Sequence, residues 1–119
     1  MSRRATVAEI YPRRARDPEG WWLCRRCGAR IRRGRHWIGW CSNMCQTLAN
    51  AEAGSVDDMR WLLHKRDRGV CAECGAEGRW ECHHIVPVAS GGSHSLDNLQ
   101  TLCVPCHKAK TRAMRKESP

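Results

Sequence analysis

Eight of the nine cysteines in this chain fall in close pairs: Cys24 with Cys27, Cys41 with Cys45, Cys71 with Cys74 and Cys103 with Cys106. No other feature narrows the fold as much, because the 119 residues include no Phe and a single Tyr, too little apolar material for one sizeable core. A small chain with a thin core is held by disulfides or by structural metal. The opening MSRRATVAEIYPRRARDP is charged almost throughout, without an apolar leader segment, and no run approaches membrane-spanning length. A soluble cytoplasmic protein in a reducing compartment is therefore expected, with no membrane partner. There, paired cysteines read as metal ligands; a disulfide-stapled secreted protein is the competing reading.

The pairs form two sets. In WWLCRRCGARIRRGRHWIGWCSNMCQTLAN, thirteen residues separate Cys24 and Cys27 from Cys41 and Cys45, and four thiolates so grouped suit tetrahedral zinc. His36 could replace one ligand, although four cysteines complete the shell. Cys45, Leu48 and Ala49 share a helical face, which puts the second pair at the start of a short helix. In the other set, twenty-eight residues separate Cys71 and Cys74 from Cys103 and Cys106. Another closed four-cysteine site follows, so two structural Zn²⁺ ions are expected. Cys82 is left over and reads as a small hydrophobe. The ligand spacings of the two sets differ, so they are not read as a repeat.

Three segments result. Residues 1–20 contain Pro12, Pro18 and Gly20 without helical or strand period and read as a flexible basic arm. Residues 21–54 form the first zinc module and residues 55–119 the second. Ser55 with Asp58 resembles a capping box, Val56, Met59, Leu62 and Leu63 make an apolar stripe, and Gly69 is placed to end a helix over 56–67. Trp61 and His64 on that helix read as packing and surface residues. Trp80–Ile85 and Leu99–Leu102 read as short strands around a loop with a Gly91-Gly92 turn, and a helix is expected from Pro105.

The loop and its flanks carry the chemistry. Side chains alternate along a strand, so His83 and His84 should not both grip one ion unless the strand bends. In-line phosphodiester hydrolysis needs a base near the attacking water and a cation near the departing oxygen. Adjacent histidines on opposite faces could serve both ends. Imidazole suits the base, its ordinary pKa of about 6.5 lying near neutrality. His107, in the first turn of the last helix, could complete the ion's ligands, and Asn98 could hold a ring nitrogen or the loop backbone. His94 reads as a solvated loop residue.

The order CxxC, HHIVP, GG, LDNL, LC, CxxCH and KAKT resembles the HNH endonuclease family, over about residues 55–112. The resemblance implies a small α+β zinc-stabilised protein: a ββα-metal, treble-clef-like domain with a structural four-cysteine zinc, here preceded by a second small finger, CRRCG…WCSNMC, similar to a treble clef. It implies that His84 activates water, that His83 and His107 bind one catalytic divalent metal, and that Asn98 orders loop and base. Many members carry Asp where His83 stands. An imidazole there moves preference from Mg²⁺ toward Mn²⁺, Ni²⁺, Co²⁺ or Zn²⁺. Some relatives place a further metal-binding His where this chain has Thr111, and others use the asparagine as a ligand. Short nucleases of this kind occur in phages and bacteria.

The formal charge of +9 lies mostly in the first half, where residues 1–54 hold eleven arginines against four acidic residues. A polyanionic partner is expected, DNA first and RNA second. Arg25, Arg26, Arg30, Arg32, Arg33 and Arg35 could clamp phosphates beside Trp37 and Trp40, with Lys108, Lys110, Arg112 and Arg115 on the last helix. At least one of those tryptophans is expected in the module's core. Two functions remain open on this reading, a metal-dependent DNA endonuclease and a non-catalytic zinc-finger adaptor that binds nucleic acid, with a protein-binding zinc module third. Oligomeric state is not legible.

Overall fold

The computed structural model describes residues 7–11, 13–32 and 39–117. Arg33, Arg35, His36 and Trp37 fall outside the described residues. Contacts divide the chain into two compact units, Met1–Asp58 and Met59–Pro119. No helix among the described residues is long and apolar enough to cross a membrane.

In the first unit, residues expected as an arm without regular structure carry a helical turn, α1 (Val7–Ile10), and a strand, β1 (Ala15–Arg16). Strand β1 pairs antiparallel with β2 (Trp22–Leu23), in the register Ala15↔Leu23 and Arg16↔Trp22. The guanidinium groups of Arg14 and Arg16 lie 4.4 and 4.3 Å from the Trp22 ring, and this stacking, with no counterpart in a hydrophobic period, explains why the sequence hid the strand. Helix α2 (Asn43–Glu52) opens on Ser42, whose hydroxyl accepts from the Cys45 amide at 3.1 Å. Cys24, Ile31, Trp40, Cys45 and Ala49 form the core, with Val7, Tyr11 and Trp22 packed on it. Trp40 is a core residue, its ring edge-on to Tyr11.

The division falls in the first turn of α3 (Val56–Asp67), whose start is capped by Ser55 and whose end meets Arg68 and Gly69, both at positive φ. In the second unit Met59, Leu62 and Leu63 on α3 are buried, as are Leu99, Thr101 and Leu102. Strand β3 (Trp80–His84) pairs antiparallel with β4 (Leu99–Cys103), from Trp80↔Cys103 to His84↔Leu99. Helix α4 (Val104–Glu117) follows β4 directly, with Pro105 in its first turn. Arg66 donates to the carbonyls of Leu96 and Leu99 at 3.1 and 2.9 Å, and the Thr101 hydroxyl donates to Asp67 at 2.8 Å. These bonds latch the end of α3 onto the start of β4. Arg66 beside it also holds the Asp67 carboxyl below the ordinary range.

A local repeat does exist. CRRCGA and CAECGA fold alike: the Gly28 and Gly75 amides each donate to the carbonyl of the first cysteine at 2.9 Å, and the amides of Cys24 and Cys71 donate to Ala29 and Ala76. Gly28 and Gly75 adopt φ of 78° and 77°, a region L side chains resist. The ligand spacings concealed this likeness because the common unit is only the knuckle.

The loop joining β3 to β4 is tightly closed. It contains single 3₁₀ turns at Val88–Ser90 and Leu96–Asn98, and the Gly92 amide donates to the Pro87 carbonyl at 2.9 Å. A Cβ on Gly92 would lie 1.8 Å from the Val86 carbonyl oxygen. Backbone cannot yield cheaply there, so Gly92→Ala is expected to cost about 1–3 kcal/mol and to spread the loop. Urea denaturation read beside amide exchange at Gly92 checks this; an unchanged midpoint would contradict the close approach.

Candidate active site

Each cysteine set converges. In Cys24, Cys27, Cys41 and Cys45, and again in Cys71, Cys74, Cys103 and Cys106, all four sulfurs lie within 4.8 Å of one another. Neighbouring sulfurs are 3.5 Å apart for Cys27 and Cys41, and 3.6 Å for Cys74 and Cys103. Tetrahedral zinc with bonds of about 2.3 Å puts sulfurs roughly 3.8 Å apart, so the donor sets fit a structural ion. Their electrostatics agree. Burial raises the Cys24 thiol, yet amides of Cys27, Cys41 and Arg26 aimed at its sulfur outweigh that and bring it to about 6. Amides of Cys103, Cys74 and Glu73 do the same for Cys71, again to about 6 against its burial. Burial and the neighbouring thiols push Cys41 up to about 12, and Cys103 and Cys74 push Cys106 up to about 12. One thiolate forms readily in each set, whereas Cys41 and Cys106 lose their protons only to a cation.

The second set clamps the start of α4 to the knuckle, and that clamp places His107. Strand alternation brings Glu81 and His83 to one face, where His107 meets both. The His107 Nδ1 lies 2.6 Å from a Glu81 carboxylate oxygen, and its ring stands 5.4 Å from that of His83, at 75°. His83 is buried at 7 % exposure, and burial, then the charges of His107 and Lys110, lower its pKa. With Nδ1 committed to Glu81, His107 presents Nε2. Two imidazoles so placed, one backed by a carboxylate, fit a divalent cation.

His84 faces differently. Its Nε2 lies 3.0 Å from Nδ1 of His94, the two rings 5.1 Å apart at 76°. Burial and His94 lower its pKa, keeping the ring neutral at neutral pH. His83, His84 and His107 border one cleft of about 420 Å³, lined also by Cys82, Thr111, Met114 and loop residues 87–90. Thr111 thus lies on the cleft wall.

Asn98 reaches the loop backbone. Its Oδ1 accepts from the Val86 amide at 2.8 Å, and its Nδ2 donates to the carbonyls of Val86 and Ser93 at 3.0 and 2.8 Å. One side chain thereby ties both limbs of the loop. Asn98→Asp keeps the acceptor but turns a carboxylate oxygen toward two carbonyls. A loss of about 2–3 kcal/mol is expected, read as a lower thermal midpoint and faster exchange at the Val86 amide. Retained protection at Val86 would contradict it.

Sequence reading missed Glu81 and the contact of His94. Glu81 was available in principle, because it stands two positions before His83 in a strand. The proposed phosphate-binding residues divide. Arg25 donates to the Tyr11 carbonyl and lies over Trp40, Arg26 pairs with Glu52 at 2.8 Å, Arg30 pairs with Asp17 and Glu19, and Lys110 pairs with Glu73. Arg32, Lys108 and Arg112 are exposed.

A two-stranded hairpin, a following helix and a cysteine clamp that sets a histidine at the helix start define a ββα nuclease-like site. Residues 71–113 match the HNH endonuclease family. The chain is 32 % identical over 78 residues to a probable HNH endonuclease of Lactococcus phage SK1, covering 55 % of this chain and 83 % of that protein. It belongs to the HNH endonuclease family. It is also 33 % identical over 57 residues to the type IV methyl-directed restriction enzyme EcoKMcrA of Escherichia coli K12, covering 40 % of this chain and 20 % of the enzyme. Over 39 residues it is 56 % identical to the human DNA annealing helicase and endonuclease ZRANB3, covering 32 % of this chain and 4 % of that protein. The chain thus spans a fifth of one of these relatives and a small fraction of the other.

Proposed function

We propose that the chain is a metal-dependent endonuclease that hydrolyses DNA phosphodiester bonds, with His84 as general base and His83 and His107 as the protein ligands of one divalent cation. The observation that carries this is the opening of His83, His84 and His107 onto one cleft, with His83 beside His107 and His84 bonded to His94. When bound, the cation supplies positive charge that stabilises charge building on the phosphate and the leaving oxygen. The remaining work falls to the chain. His84, neutral at pH 7, takes a proton from the attacking water at Nδ1. Glu81 fixes the His107 ring, and Asn98 keeps the loop closed behind His84. Arg32, Lys108 and Arg112, being exposed, are the side chains assigned to phosphates. In this reading both four-cysteine clusters hold zinc, and the imidazole ligands favour Mn²⁺, Ni²⁺, Co²⁺ or Zn²⁺ over Mg²⁺ at the cleft.

The test is incubation of zinc-loaded protein, freed of other ions, with supercoiled plasmid and each divalent cation in turn, beside a structured RNA. Nicked circles appearing only with added cation are expected. Tight DNA binding without scission in any cation would overturn the proposal and favour a nucleic-acid-binding adaptor.

A further inference from the structure

We propose that His94 is a positioning residue for His84: it accepts a hydrogen bond from the His84 Nε2–H and so leaves the lone pair of His84 on Nδ1, where a proton can be taken up. The inference rests on the nuclease reading above and names a device that reading does not contain. Its starting point is the contact of 3.0 Å between His84 Nε2 and His94 Nδ1. Two neutral imidazoles at that distance share one proton, and only two arrangements exist. In one, His84 donates from Nε2 and both rings carry their proton on Nε2. In the other, His94 donates from Nδ1 and both rings carry it on Nδ1. The Nε2–H form is the intrinsically favoured tautomer of a histidine side chain, so the first arrangement is preferred at both rings together. Only that arrangement leaves His84 Nδ1 an acceptor.

The loop holds His94 for this purpose. The residues on either side of it are anchored: the Ser93 carbonyl accepts from Asn98 Nδ2 at 2.8 Å, and the Ser95 carbonyl accepts from the Asn98 amide at 2.8 Å. The Ser93 hydroxyl in turn accepts from the Ser95 amide at 3.2 Å. His94 is half-buried, and its imidazole stands against His84 as a built partner. None of the described hydrogen bonds of the Asn98 side chain goes to His84 itself. The asparagine's hold on the base therefore passes through the loop and His94.

The experiment compares wild type, His94→Ala and His94→Asn by long-range proton–nitrogen spectroscopy of the imidazoles in zinc-loaded protein, and by plasmid nicking kinetics. Asparagine is the diagnostic variant because its Oδ1 can stand near the position of the lost Nδ1 and accept the same bond. Wild type should show His84 in the Nε2–H form alone. His94→Ala should show interconverting tautomers and a kcat lowered roughly tenfold to a hundredfold at little changed KM, and His94→Asn should recover both. The spectra report on the pair whether or not the protein cleaves DNA, so failure of the nuclease reading and failure of this inference are separable. A single Nε2–H tautomer persisting in His94→Ala would overturn the inference. So would a shift of both the His84 and His94 nitrogens on addition of Zn²⁺ that disappears in His94→Ala, which would make the pair a metal site.

Discussion

His84→Ala is expected to lower cation-dependent plasmid nicking by about 10²–10⁴-fold while DNA affinity and bound zinc stay at wild-type levels. The magnitude is that of a positioned general base, equivalent to roughly 3–5 kcal/mol on the barrier. The selectivity follows from the structure. His84 pairs with Leu99 through the backbone of the β3–β4 ladder, which alanine preserves. Its ring is half-buried and bonds to His94, while the His83, Glu81 and His107 constellation lies apart from it. Truncation therefore removes a proton acceptor without loosening the clamp. Single-turnover nicking, fluorescence anisotropy with a labelled duplex and zinc analysis make the measurement. Wild-type nicking in the variant would sink the assignment of His84. Loss of zinc along with activity would show instead that the residue is structural.

Without metal at the second cluster, residues 59–119 are expected to unfold. Cys71→Ser, or exposure to a strong chelator, should abolish the far-ultraviolet signal of α4 and the amide protection of β3 and β4. The apolar core here is short: Met59, Leu62, Leu63, Leu99 and Leu102. A structural zinc contributes an apparent ~10–16 kcal/mol in small zinc domains, comparable to or larger than the ~5–15 kcal/mol by which whole domains are stable. Cys71 is also 3 % exposed, so serine would bury a hydroxyl in place of a ligand. A cooperative melt that persists in the chelated protein would contradict this, and would mean that the Arg66, Asp67 and Thr101 latch holds the hairpin unaided.

Both clamps were legible because ligand chemistry is written in spacing: pairs with two or three residues between their members can close on one ion almost regardless of how much chain separates the pairs. The helix Val56–Asp67 and the strand Trp80–His84 were legible for a similar reason, since period and capping are local. What escaped depended on partners remote in the chain. Arg26 meets Glu52 and Arg30 meets Asp17, so arginines that read as a phosphate clamp are partly committed within the fold, and Arg66, which carried no reading, meets Leu96 and Leu99. His94 escaped because nothing in a Gly-Gly loop announces that its tip returns to the preceding strand. The Asn98 bridge from Val86 to Ser93 makes that return; the sequence offered Asn98 a hold on the loop backbone but not which positions it joins.

The twin CxxCGA knuckles bear on how the molecule is born. Each holds half its donors within four consecutive positions, so a growing chain presents Cys71 and Cys74 together before Cys103 and Cys106 have been synthesised. The last donor to arrive is Cys106, and the next residue made is His107. The start of α4 thus gains its histidine only after the fourth donor is in place, so the clamp is complete along the chain before the cleft is.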